Sequence, residues 1–181
     1  MNYPSSYKYG KALVLLHWLM FFLLIFVYAA IEFRVLFDKG MPEREFMKAL
    51  HFMFGLLVLL LVLLRLVARR LSPKLPPDSS KGWSKLFHTG SQLAHWMLYA
   101  FMLGMPLMGW LVLSAAGKPI PFFGLVMPAL IGPDEILAKQ LKRFHEMAGS
   151  FGYALIGLHV LAAFFHQFVI KDHLMARMRL R

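Results

Sequence analysis

The chain of 181 residues has no cysteine. That excludes disulfides, thiolate-ligated iron–sulfur clusters and covalently attached c-type haem, which needs a Cys-x-x-Cys-His run. Acidic residues are scarce as well: nine Asp and Glu stand against 20 Lys and Arg, for a formal charge of +11. So basic a soluble chain would suggest a nucleic-acid partner. This one is 59% hydrophobic with mean hydropathy +0.60, above the roughly 45–50% apolar content of soluble domains. No nucleic-acid partner is expected, because the charge reads better as asymmetry between the loops of a membrane protein. No stretch is left over for a soluble domain, and no internal repeat is evident.

The apolar residues gather in four blocks, and the expected helices cover 12–31, 51–68, 93–116 and 145–170. Each is close to the ~20 residues that carry a helix across the hydrocarbon layer. The second is shortest and holds Arg65 near its end, where a long side chain can snorkel to the lipid headgroups. The first block is too long for a signal peptide and lacks a small-residue cleavage site. Open sheets cannot span lipid. The expected fold is therefore a single all-α membrane domain over 1–181, an antiparallel bundle of four transmembrane helices. Basic residues are dense in the termini and in the 69–92 loop. The cations of the other two loops are offset by Glu32, Asp38, Glu43, Glu45, Asp134 and Glu135. This bias puts the termini in the cytoplasm. Trp18 and Tyr28 flank the first helix as interfacial aromatics do, Gly104-Met105-Pro106 predicts a kink in the third, and the proline-rich 117–144 loop is long enough to cap the outer end. Gly149, Gly152 and Gly157 leave room for a close neighbour, either a helix or a flat porphyrin.

His145 and His159 are fourteen residues apart in one apolar stretch. Steps of ~100° bring both onto one helix face, separated by ~21 Å along the axis. His17 and His51 stand in other helices at matching depths. His17 lies early in helix 1 and His159 late in helix 4, both toward the cytoplasm; His51 and His145 each open a helix at the outer face. The pairs are thus His17 with His159 and His51 with His145. Each pair would give a haem iron two axial imidazoles, a six-coordinate centre suited to electron transfer. The competing readings are hydrogen-bonded structural histidines and zinc, which favours four clustered ligands rather than separated pairs. His95, in the first turn of helix 3, and His166, seven residues after His159, would flank the inner haem. They would serve either as quinone contacts, donating a hydrogen bond and a proton, or as partners of haem propionates. His88 and His173 are in polar segments and read as surface residues.

These residues together resemble the bacterial cytochrome b561 family of small di-haem membrane cytochromes. The likeness is carried by Leu16-His17-Trp18, Glu32-Phe33-Arg34, His51, the 123–128 run Phe-Gly-Leu-Val-Met-Pro, His145-Glu146, Gly157-Leu158-His159, and His166 through Lys171-Asp172. It implies two haem b groups with axial ligands His17, His51, His145 and His159. It also implies oxidation of superoxide at the periplasmic face, with electrons passed to ubiquinone. One departure is notable: where the family pattern has two histidines three apart at the start of helix 3, Gln92 takes the first position and only His95 remains. The same paired-histidine plan resembles the cytochrome b subunits of formate dehydrogenases and nickel–iron hydrogenases. The alternative is therefore a non-enzymatic anchor and electron conduit for a partner dehydrogenase or hydrogenase. A proton-relaying transporter should show inverted repeats, and none is seen. No side-chain acid or nucleophile is needed, since the chemistry belongs to the iron. If superoxide is the donor, Arg34, Lys118, Lys142 and Arg143 are the candidates for drawing the anion to the outer haem edge, against the reading that they are ordinary interfacial charges.

Overall fold

The computed structural model describes residues 9–72 and 84–171 together with Met175 and Met178; side chains of 84–88 lie outside the description. The surface roles read for His88 and His173 therefore fall outside the described residues. Four long helices carry the fold: α1 (Lys11–Phe33), α2 (Pro42–Leu71), α3 (Ser84–Ala115) and α4 (Glu135–Phe165). All four are long and apolar enough to cross a membrane. Their many outward Phe and Leu side chains, such as Phe26 and Phe151, suit lipid. A short 3₁₀ turn follows α1, and a π-helical turn, His166–Ile170, ends α4.

Three of the helices begin well before the stretches read from hydropathy. His51 does not open α2 but lies nine residues in, after Pro42 at the first helical position and the acidic Glu43 and Glu45 of the first turn. Proline and acidic side chains favour helix starts, by preset geometry and by the macrodipole. His145 lies ten residues into α4, which Asp134 caps by accepting a hydrogen bond from the Leu137 N–H at 2.9 Å. His95 stands eleven residues into α3 rather than in its first turn. In each case charged or amphipathic turns extend the helix beyond its apolar span, by ~13–15 Å in α2 and α4. α3 runs unbroken through Pro106.

The loop after α3 contains a structure not foreseen, a hairpin of β1 (Ile120–Phe122) and β2 (Leu125–Met127) with Ile120 opposite Met127. Phe123 and Gly124 make its turn, both at positive φ (47° and 87°), the geometry that matches strand twist in two-residue hairpins. The loop is pinned to α3. The Trp110 indole donates to the Pro128 carbonyl at 2.9 Å, and the buried Ser114 hydroxyl accepts from the Leu130 N–H at 3.1 Å. It covers one end of the bundle, here termed the hairpin end. The opposite end, with the start of α1 and the end of α4, is the terminal end.

The apolar core belongs to the first three helices. Met20, Val62 and Tyr99 form one cluster between α1, α2 and α3. Leu56 of α2, Leu113 of α3 and Ile120 of β1 form another near the hairpin end. α4 contributes only Ala138 and Gly152 as buried residues. It packs along α3, while backbone packing against α1 and α2 is sparse. Its link to α1 runs through side chains: the Tyr28 hydroxyl donates to the Gly149 carbonyl at 2.9 Å, and the Tyr153 hydroxyl donates to Glu32 at 2.7 Å. Tyr28 is therefore a tie between helices.

Candidate functional site

The helix that stands off from the core is the one that carries two of the histidines. α4 presents His145 and His159 toward histidines of α2 and α1. His51 and His145 face each other with ring centroids 6.1 Å apart and planes at 87°. His17 and His159 face each other at 6.2 Å and 68°. Imidazole nitrogens bind metals of this kind at about 2 Å. An iron midway between two imidazoles thus sets their ring centroids roughly 6 Å apart. Both pairs have that separation.

The surroundings of the rings fit the same role. His51 Nδ1 lies 2.9 Å from the Val27 carbonyl. Donation to that carbonyl would fix the tautomer and leave Nε2 free to bind a metal, the usual outer-shell device for a metal-binding histidine. The Nδ1 of His145 is buried, and the Met105 backbone lies within hydrogen-bonding reach of the ring, an outer-shell contact of the same kind as that of His51. α3 passes close to this ring because Gly109 has no side chain: a Cβ there would sit 3.3 Å from His145 Cε1. At Gly157, two residues from His159, a Cβ would meet nothing within 4 Å. At Gly152, midway between His145 and His159, it would collide with the Tyr28 hydroxyl and the Phe101 ring. Of the three α4 glycines, Gly152 marks a close neighbour and Gly157 an open space. Among the described residues no three His, Asp or Glu side chains converge to hold one metal ion, so the geometry is one of facing pairs.

His95 joins the terminal-end pair. Its ring lies 5.4 Å from that of His159 at 84°, and its Nδ1 is 2.6 Å from the Ser91 carbonyl. His166 follows α4 in the π-helical turn beyond His159 and meets the Phe165 ring at 6.4 Å. Trp18 lies beside His17, ring centroids 5.6 Å apart, and donates to the Met178 carbonyl at 3.0 Å.

Arg65 is the residue that sequence reasoning misplaced. It turns into the bundle, donating from Nη1 to the Leu13 carbonyl at 2.7 Å and from Nε to the Tyr99 hydroxyl at 3.3 Å. Arg69 stacks its guanidinium over the Tyr99 ring, 5.5 Å from the centroid. Of the candidate steering cations, Lys142 pairs with Glu146 at 3.6 Å. Arg34 lies within electrostatic reach of His51 and donates to the Ile31 carbonyl at 2.5 Å. Lys118 lies near Glu45, and Arg143 is exposed.

Comparison with known proteins identifies the family. The family model described as prokaryotic cytochrome b561 matches residues 8–179. The chain is 33% identical over 176 residues to the "Probable superoxide oxidase CybB" of Yersinia pestis, covering 94% of this chain and 95% of that one. It is 31% identical over 173 residues to "Cytochrome b561 homolog 1" of Escherichia coli K12, covering 94% and 96%. "Cytochrome b561 homolog 2" of the same organism is 25% identical over 172 residues, covering 94% and 90%. A membrane bundle with histidines facing across its helices, matched by this family along nearly its whole length, belongs to the prokaryotic cytochrome b561 family and is a b-haem electron-transfer protein of the membrane.

Proposed function

We propose that the chain holds two haem b groups and passes electrons from the hairpin end of the bundle to ubiquinone, with superoxide as the donor. The two facing histidine pairs at iron-spanning separation carry this reading. His51 and His145 are the axial ligands at the hairpin end, His17 and His159 at the terminal end. Bound there, haem supplies reversible one-electron chemistry. The protein's own part is to set ligands, charges and access. Val27 fixes the His51 tautomer through its carbonyl. Tyr28, Tyr153 and Glu32 hold α4 across the seam in which the porphyrins lie.

Superoxide as donor is supported by the name of the Yersinia pestis relative and by cations at the hairpin end. Each superoxide gives up one electron and leaves as dioxygen; two electrons and two protons turn ubiquinone into ubiquinol. His95 and His166, at the terminal end, supply hydrogen-bond donors for the quinone carbonyls. The loop charge bias supports termini in the cytoplasm, the hairpin end facing outward, and residence in a bacterial inner membrane. Lipid, quinone and the small anion are then its partners.

The test is stopped-flow reduction of the purified, haem-loaded protein by superoxide, with and without ubiquinone. Rapid reduction, followed by reoxidation only when quinone is present, is expected. A protein that superoxide does not reduce, but that copurifies with a large dehydrogenase subunit and is reduced through it, would replace the enzyme with the conduit.

A further inference from the structure

An arginine inside a membrane bundle is costly unless it is paired, and Arg65 has no acidic partner among the described residues. Its two hydrogen bonds go to a carbonyl and a phenol, and none of the ion pairs includes it. Its depth is fixed by those partners. In an α-helix the Leu13 carbonyl is the one that also accepts the His17 N–H, so one shared oxygen links the guanidinium to the backbone of a proposed ligand. Tyr99, which accepts from Nε, is one turn from His95. Arg65 lies within electrostatic reach of His17, His95 and His159 alike, and Arg69 within reach of His95. No acidic group acts on any of these three histidines among the described residues. Asp78 and Asp172 lie outside the description.

The hairpin end is different. The cation that reaches His51 is Arg34, and Glu146 lies next to His145 and acts on it. Among the described residues, a carboxylate acts on a histidine of the hairpin-end pair and none acts on those of the terminal end.

We infer that Arg65 favours the electron on the terminal-end haem, and so sets the direction of transfer from the hairpin end toward the quinone. The inference rests on the di-haem reading. The step it biases moves one electron: the hairpin-end haem is oxidised by one as the terminal-end haem is reduced by one, with no proton required. Arg65 acts through its field and is a positioning residue. At ~10 Å and an effective dielectric of ~20, one unit charge changes such an equilibrium on the order of tenfold.

Potentiometric titration of the haem-loaded protein tests this. His159→Ala, which keeps only the hairpin-end haem, assigns the two midpoints. The terminal-end haem is expected to titrate at the higher potential. Arg65→Gln should lower that midpoint, cut the interhaem equilibrium constant on the order of tenfold and leave the hairpin-end midpoint in place; Arg65→Lys should keep the wild-type value. An unchanged midpoint in Arg65→Gln, or a wild-type order with the hairpin-end haem higher, would overturn the inference. Should Arg65→Gln fail to retain its haem, the wild-type order decides alone. A single haem per chain overturns the di-haem reading itself, and is seen in the haem count before any potential is measured.

Discussion

Replacing Gly152 with alanine is expected to destabilise the bundle through one identifiable pair of atoms. The new Cβ would land on the Tyr28 hydroxyl and the edge of the Phe101 ring. Overpacking of this kind costs about 1–3 kcal/mol when side chains must move. Tyr28 cannot retreat without giving up its hydrogen bond to the Gly149 carbonyl, an interaction with a net contribution of about 1 kcal/mol. The two penalties therefore overlap. Tyr28→Phe alone should cost about 1 kcal/mol. In Gly152→Ala the hydrogen bond is already disturbed, so adding Tyr28→Phe should cost much less, with a coupling of about 1 kcal/mol. Unfolding of the haem-loaded protein in mixed micelles, titrated with SDS and followed by the haem absorbance, measures all three variants. Additive losses, or a Gly152→Ala protein as stable as wild type, would refute the packing argument.

The purified protein should yield about two haems per chain by pyridine haemochrome, released by acidified solvent because no thioether can hold them. His51→Ala and His145→Ala should remove one spectral component, and His17→Ala and His159→Ala the other; loss of the same component from His17→Ala and His145→Ala would break the pairing. His166→Ala should retain both haems and slow reoxidation by ubiquinone, whereas haem loss would make it a structural or ligating residue. Replacing Arg34 and Lys118 with Gln should slow reduction by superoxide, most strongly at low salt, where the Debye length exceeds ~10 Å and steering is strongest; a fast reaction indifferent to salt would discard this entry site.

The bundle was legible in the sequence because lipid imposes a length and an apolar composition on anything that crosses it. The histidine pairs were legible because helical rise and turn convert spacing into depth and direction. Helix ends were not, since hydropathy stops where the hydrocarbon does. At Pro42 and Glu135 the helix continues outward, supported by a proline start and by the Asp134 cap. The hairpin at 120–127 escaped because strands of three residues carry no usable alternation; only the Phe123-Gly124 turn could have signalled it. The orientation of Arg65 depends on partners in α1 and α3, which local sequence around the residue does not contain. His95 was assigned to the neighbourhood of the terminal-end pair, but its ring contact with His159 is a matter of how α3 and α4 lie together.

The uneven distribution of the core bears on how such a protein is made. Met20, Val62 and Tyr99, with Leu56 and Leu113, give α1, α2 and α3 apolar contacts of their own. α4 lies along α3 but meets α1 across the seam chiefly through two tyrosine hydroxyls. Three helices can therefore settle in the bilayer while the fourth is still arriving, with the seam open from the side to a flat, greasy cofactor dissolved in the same lipid. If haem occupies that seam as proposed, its entry would complete the fold instead of following it.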